Sequence, residues 1–111
     1  MKVWTVFLTI ALVALSSQAY ARGKWCGNYA RHNLVDSDPG QKFNLACNWR
    51  AWGRATTAQV GAMVIWCSGR HRHVGKIVGP CNGNMCLVMS GNDGGAIRTR
   101  LRSVAGAVFR I

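Results

Sequence analysis

The spacing of cysteines around one turn constrains this chain most. Cys81 and Cys86 enclose the dipeptide Asn82-Gly83, and Asn-Gly between strands is a strong signal for a tight hairpin. A cross-strand disulfide between Cys81 and Cys86 would close this hairpin. The chain has five cysteines, the other three being Cys26, Cys47 and Cys67. An odd count leaves one thiol free unless chains are bridged to each other. If Cys26 is the free thiol, the remaining two form a second possible pair.

The first 21 residues have the pattern of a cleaved secretory signal. Lys2 precedes an apolar run from Val3 to Leu15, and the segment ends in Ala19-Tyr20-Ala21. The run is shorter than the roughly 20 apolar residues that span a bilayer. We therefore expect cleavage after Ala21 and export to the periplasm or the cell exterior, where cysteines tend to pair. The mature chain, residues 22–111, is then expected to form a single domain without an integral membrane span.

The charge of the chain is strongly one-sided. It contains 14 Lys and Arg residues against three Asp and no Glu, for a net charge of +11. So few carboxylates argue against a glycosidase, which needs two flanking the scissile bond, and against carboxylate-rich Ca²⁺ or Mg²⁺ sites. The positive charge predicts an anionic partner. Peptidoglycan or another anionic envelope polymer is the favoured partner, and nucleic acid is the less favoured one.

The hydrophobic pattern predicts helices first and strands later. Helices are expected at Trp25–Leu34 and at Phe43–Trp52, where apolar residues recur at helical spacing. Expected strands follow at Ala62–Cys67, His73–Val78, Met85–Ser90, Ala96–Val104 and Ala107–Ile111. This order predicts an α+β domain in which N-terminal helices pack on an antiparallel sheet of about four to five strands.

The hairpin brings a histidine and an asparagine to one face of the expected sheet. With a two-residue turn at Asn82-Gly83, His73 lies directly opposite Asn92. If the register shifts so that the two hairpin cysteines face each other, His73 becomes the diagonal neighbour of Asn92. A shift of two residues keeps side chains on the same face. Asn92 could therefore accept a ring N–H of His73 and leave the other nitrogen for a reacting group.

Cys26 is the candidate for that reacting group. It lies in the first turn of the expected first helix, where the helix dipole and a nearby imidazolium would lower the pKa of a thiol. The first-turn N–H groups have no intrahelical partners and could receive an oxyanion. Cys26, His73 and Asn92 would then form a Cys–His–Asn catalytic site.

Segments carrying these residues resemble those of a known enzyme family. The segments are Trp25-Cys26-Gly27-Asn28-Tyr29, Gly61-Ala62-Met63-Val64-Ile65-Trp66, His73-Val74-Gly75-Lys76-Ile77-Val78 and Leu87-Val88-Met89-Ser90-Gly91-Asn92. Their order resembles that of the CHAP and NlpC-type cysteine peptidases and amidohydrolases. The resemblance implies a papain-like fold over 22–111, with Cys26 as nucleophile, His73 as base and Asn92 as orienting residue. It also implies cleavage of amide bonds in the peptide stems of peptidoglycan.

Further residues are candidates for contacting the substrate. Trp66, near a strand end, could line a cleft, and alternation places Arg98 and Arg100 on one strand face, where they could hold anionic groups. His71 and His73 would need a third ligand to hold a metal, so neither a metal nor another cofactor is expected. The chain is expected to be a monomer. Two other functions stay open, a non-catalytic murein-binding module of the same fold and a small basic nucleic-acid-binding protein.

Overall fold

The computed structural model describes residues 25–111, so the predicted signal segment lies outside the described residues. Helix α1 spans Trp25–Asn33 and is followed by two short 3-10 helices at Gln41–Asn44 and Ala46–Ala51. The strands are β1 Met63–Ser68, β2 His71–Asn82, β3 Met85–Asp93, β4 Ala96–Ser103 and β5 Val108–Arg110. They form one antiparallel sheet in the order β4-β3-β2-β1-β5. The α+β class with a five-stranded antiparallel sheet is therefore confirmed.

The predicted helix at Phe43–Trp52 is wrong. Two 3-10 helices replace it because Leu45, between them, has an extended backbone with φ −85° and ψ 121°. The indole N–H of Trp49 donates to the carbonyl oxygen of Phe43 at 2.7 Å. A disulfide joins Cys47 to Cys67 and ties this segment to β1. Tertiary contacts of this kind override a helical spacing of apolar residues.

The β2–β3 hairpin contains both registers that the sequence allows. Next to the turn, Cys81 pairs with Cys86, and these two residues form a disulfide. The register then shifts, and Lys76 pairs with Met89. A bulge of this kind inserts residues on one strand without ending the ladder.

The sheet buries apolar side chains on both faces. The helix-side cluster contains Cys26, Ala30, Leu34, Phe43, Ala46, Trp49, Met63, Ile65 and Val74. The opposite-face cluster contains Ala62, Val64, Trp66, Ile77, Cys86, Val88 and Val104. Neighbouring residues of β1 alternate between the two clusters, as the two-residue period of a strand requires. The two faces therefore have separate cores, and a residue's position in its strand decides which one it joins.

Two disulfides and an ion pair hold the described part together. The disulfides are those of Cys47 with Cys67 and of Cys81 with Cys86, and both are compatible with an oxidising compartment. Near the end of α1, the buried Arg31 guanidinium donates two hydrogen bonds to the Asp38 carboxylate, at 2.8 and 2.7 Å. Within residues 25–111, no helix has the length and apolar character needed to cross a membrane.

Candidate functional site

Cys26 is the free cysteine of residues 25–111 and lies in the first turn of α1. Its side chain is 7% exposed and belongs to the helix-side cluster. The backbone N–H groups of Cys26, Gly27 and Val74 lie close to the sulfur and lower its pKa, but burial outweighs them and raises the pKa of the thiol. The expectation of a lowered thiol pKa is therefore wrong for this conformation.

Two glycines allow the start of α1 to pack closely on its neighbours, one against a 3-10 helix and one against the sheet. A Cβ at Gly27 would lie 2.1 Å from the backbone oxygen of Asn44, and a Cβ at Gly91 would lie 2.6 Å from the Cβ of Tyr29. Because a larger residue at either position would push the helix away, Gly27 sets how close α1 comes to the 3-10 helix at Gln41–Asn44, and Gly91 sets how close α1 comes to β3.

His73 lies at the beginning of β2 and is also 7% exposed. Its Nε2 atom is 2.9 Å from the hydroxyl oxygen of Ser90, which is fully buried. The ring packs against Trp66 at a centroid distance of 5.7 Å. Burial and, to a lesser degree, the positive charge of Arg102 lower the pKa of the His73 ring to about 4. The ring is therefore neutral at pH 7, with one nitrogen engaged by a buried hydroxyl.

Ser90 is a site residue that the sequence analysis did not single out. A signal for it exists, since Ser90 is two residues before Asn92 and shares the strand face considered for that residue. Gly75 has no side chain and so leaves space next to Ser90. A Cβ at Gly75 would lie 3.0 Å from the Cβ of Ser90 and 2.7 Å from Cγ1 of Val88. The His73 ring extends across this space to the hydroxyl. Asn92 itself has a left-handed backbone with φ 52°, the one non-glycine residue in 25–111 with positive φ.

Cys26 and His73 reach neighbouring positions of β2 from opposite faces of the sheet. The sulfur lies by the backbone N–H of Val74, the residue directly after His73. The side chain of Val74 joins the helix-side cluster, whereas the His73 ring contacts Trp66 of the opposite-face cluster. No hydrogen bond joins the Cys26 thiol to the His73 ring among residues 25–111. The Cys26 thiol and the His73 ring therefore lie on opposite faces of the sheet, and in this conformation the structure does not bring the predicted nucleophile and base together.

Arg98 and Arg100 lie on one face of β4 as predicted, and Arg102 joins them there around Asp93, whose carboxylate is buried. Arg98, Arg100 and Arg102 pair with Ser90, Val88 and Cys86 of β3. Arg100 donates two hydrogen bonds of 2.6 Å to the buried Asp93 carboxylate, holding its pKa below the usual range. Arg98 donates from Nε to the backbone oxygen of Asp93 at 2.7 Å.

Trp66 is 5% exposed and is covered by Arg102, whose guanidinium carbon lies 4.4 Å from the ring centroid. The Trp66 indole N–H donates to the backbone oxygen of Ser103 at 3.1 Å. In this conformation Trp66 packs beside His73, while Arg98 and Arg100 remain exposed on β4, which β3 separates from β2.

Within residues 25–111, no group of three or more His, Cys, Asp or Glu side chains is arranged to hold a metal ion. Comparison with known proteins adds no relative: no family model, curated protein or solved structure matches this chain.

Proposed function

We propose that this protein is an exported cysteine amidohydrolase or peptidase that cleaves amide bonds in peptidoglycan peptide stems, with Cys26 as nucleophile. One observation carries the proposal. Four of the five cysteines are consumed in disulfides, and the fifth is a reduced thiol at a helix start with three backbone N–H groups near its sulfur. N–H groups in this position favour negative charge on sulfur and on an adjacent oxyanion.

His73 is the proposed base, and Ser90 is the proposed positioning residue. When Nε2–H donates to the Ser90 hydroxyl, Nδ1 is left unprotonated and can accept a proton. As Sγ of Cys26 attacks the carbonyl carbon, Nδ1 takes the thiol proton, and this step requires the β2 segment at His73 to turn its ring from the opposite-face cluster to the helix side. The protonated ring then donates this proton to the departing amine nitrogen as the C–N bond breaks. Water, deprotonated by the same nitrogen, hydrolyses the thioester and regenerates the thiol.

Burial keeps both Cys26 and His73 uncharged before substrate binds. It raises the pKa of Cys26 and lowers the pKa of His73 to about 4, so both effects favour thiol and imidazole over thiolate and imidazolium. The proton therefore moves during the attack. We expect the acid limb of kcat/KM to lie near pH 4, not near the ordinary histidine pKa of about 6.5.

Asn92, Trp66 and the arginines have secondary roles in the proposal. Asn92 follows Ser90 on β3 and is the second candidate for orienting the His73 ring. Arg98 and Arg100 are exposed and are proposed to attract stem carboxylates, in keeping with the net charge of +11. Trp66 forms the wall against which the His73 ring is held.

A non-catalytic cationic envelope-binding module is the second candidate, and it is favoured because Cys26 and His73 are buried on opposite faces of the sheet. Cys26 and His73 are each 7% exposed, so a substrate reaches the sulfur only if the surface above it opens. Binding of murein without turnover would then be the whole function.

The test is release of soluble fragments from purified peptidoglycan by the mature protein, followed by chromatography. We expect Cys26→Ala to abolish turnover, and Ser90→Ala to lower kcat by about 10- to 100-fold, since general acid–base catalysis contributes about 10²–10⁴-fold. Ser68→Ala, a change at an exposed serine of β1, is the matched control and should leave turnover unchanged.

Asn92→Gly tests the orienting role of Asn92 separately from that of Ser90, because glycine accepts the left-handed backbone while removing the side chain.

Turnover by Cys26→Ala at the wild-type rate would refute the proposed nucleophile. Salt-sensitive murein binding by both proteins, with no cleavage by wild type, would establish the binding module instead. Nuclease activity that is independent of Cys26 would favour the nucleic-acid alternative.

A further inference from the structure

The outer edge of β4 is the feature of the molecule that the proposed function leaves unused. β4 is the first strand in the sheet order and pairs only with β3 among the described strands. Its pairing is regular from Met85↔Ser103 to Ser90↔Arg98, so no bulge interrupts the ladder over this length. Six of its eight residues are exposed. Long exposed edges of this kind are templates for pairing with another strand.

The two faces of β4 differ in chemistry. Arg98 and Arg100 are exposed on one face, and the Asp93 carboxylate offsets part of their charge. Ile97 and Leu101 project from the other face and are 51% and 61% exposed. A strand added at this edge would therefore meet cations on one face and apolar side chains on the other.

A second copy of the chain does not suit this edge. In antiparallel β4–β4 pairing, one set of registers places arginine opposite arginine, and like charges directly opposite are destabilising. The other set, shifted by one residue, places the arginines opposite Ile97, Thr99 or Leu101, because a one-residue shift exchanges the faces. The chain supplies no acidic strand either, since its carboxylate side chains are limited to Asp36, Asp38 and Asp93.

We propose that the outer edge of β4 receives an extended acidic segment of a partner protein, which adds to the sheet as a sixth strand. The segment alternates carboxylate side chains, directed to the face of Arg98 and Arg100, with apolar side chains, directed to the face of Ile97 and Leu101. Main-chain hydrogen bonds supply affinity in this binding mode, and the alternating side chains supply specificity. The proposal depends neither on Cys26 nor on hydrolysis.

The test uses a fluorescein-labelled peptide of alternating Glu and Val, (Glu-Val)4, with binding measured by fluorescence anisotropy. Two further peptides carry N-methyl groups on all Glu or on all Val residues. Since a strand at a sheet edge uses only one of its own edges, we expect one methylated form to bind about tenfold more weakly or worse, a loss of about 1.4 kcal/mol. A peptide of the same composition with its residues in two blocks, Glu4Val4, should weaken similarly.

Matched protein variants separate strand addition from attraction by net charge. Arg98→Glu should weaken binding of the alternating peptide about tenfold or more. Arg70→Glu makes the same charge change at an exposed arginine in the β1–β2 turn and should change binding less than about twofold. Cys26→Ser should bind as wild type does, so this result is separate from the fate of the proposed enzyme. The proposal is overturned if the alternating peptide does not bind, if both methylated forms bind as well as the parent, or if the two arginine variants lose affinity equally.

Discussion

Acidification should destabilise this protein in a pH window set by His73. The ring has a pKa of about 4 in the fold against an ordinary value of 6.5. The unfolded chain therefore binds a proton more readily than the folded one between these values. The stabilising contribution is complete above pH 6.5 and is lost as the pH falls toward 4. The difference between the two pKa values corresponds to about 3 kcal/mol in all, of which about 2 kcal/mol is lost by pH 5.

Urea unfolding at pH 7.5, 6, 5 and 4.5, with disulfides intact, measures this loss directly. His73→Gln removes the titrating group while keeping an amide near Ser90, so its free energy of unfolding should change much less over this range. His71→Gln changes an exposed histidine of the same strand and should retain the wild-type slope. The carboxylates of Asp38 and Asp93 have lowered pKa values, so their contributions are lost only below about pH 4. A wild-type free energy that stays constant from pH 7.5 to 4.5, or an equal slope in His73→Gln, would refute this reasoning.

Two further changes test the packing around the site. Asp93→Asn removes the charge of the buried carboxylate on which two arginines converge. The free energy of unfolding should fall by about 3 kcal/mol, because an uncompensated cation stays partly buried. Urea unfolding measures this loss, and a loss under about 1 kcal/mol would contradict the prediction. Gly27→Ala places a methyl group 2.1 Å from a backbone oxygen of the adjacent 3-10 helix and should lower stability by about 2 kcal/mol. For this variant, a thermal midpoint equal to that of wild type would show that the helix moves aside at no cost.

The strand pattern and the hairpin were predictable because they depend on local sequence. Alternation places Arg98, Arg100 and Arg102 on one face, and Asn82-Gly83 determines where the chain reverses. The hydrogen-bond partner of His73 was harder to predict from the sequence. Both registers that the sequence allows occur, one on each side of a bulge. The His73 ring lies 2.9 Å from the hydroxyl oxygen of Ser90, a residue that the pairing pattern of the hairpin does not place directly opposite His73.

Burial is the property that sequence position describes least well. A cysteine in a first helical turn suggests a low thiol pKa, because the nearby N–H groups are encoded locally. The opposing effect comes from burial among side chains far apart in the chain, and Phe43, Ile65 and Val74 belong to the same helix-side cluster as Cys26. The same holds for Phe43–Trp52, where packing and a disulfide divide an apparently helical segment.

The sequence alone determined the charge, the strand alternation, the hairpin turn and the odd number of cysteines, since each follows from neighbouring residues or from a count. Tertiary structure alone decided which thiol stays free, which hydroxyl holds His73 and how far burial shifts the pKa values of Cys26 and His73. These properties depend on which distant side chains exclude water from a group. Water is excluded from these groups only when other parts of the chain cover the two faces of the sheet.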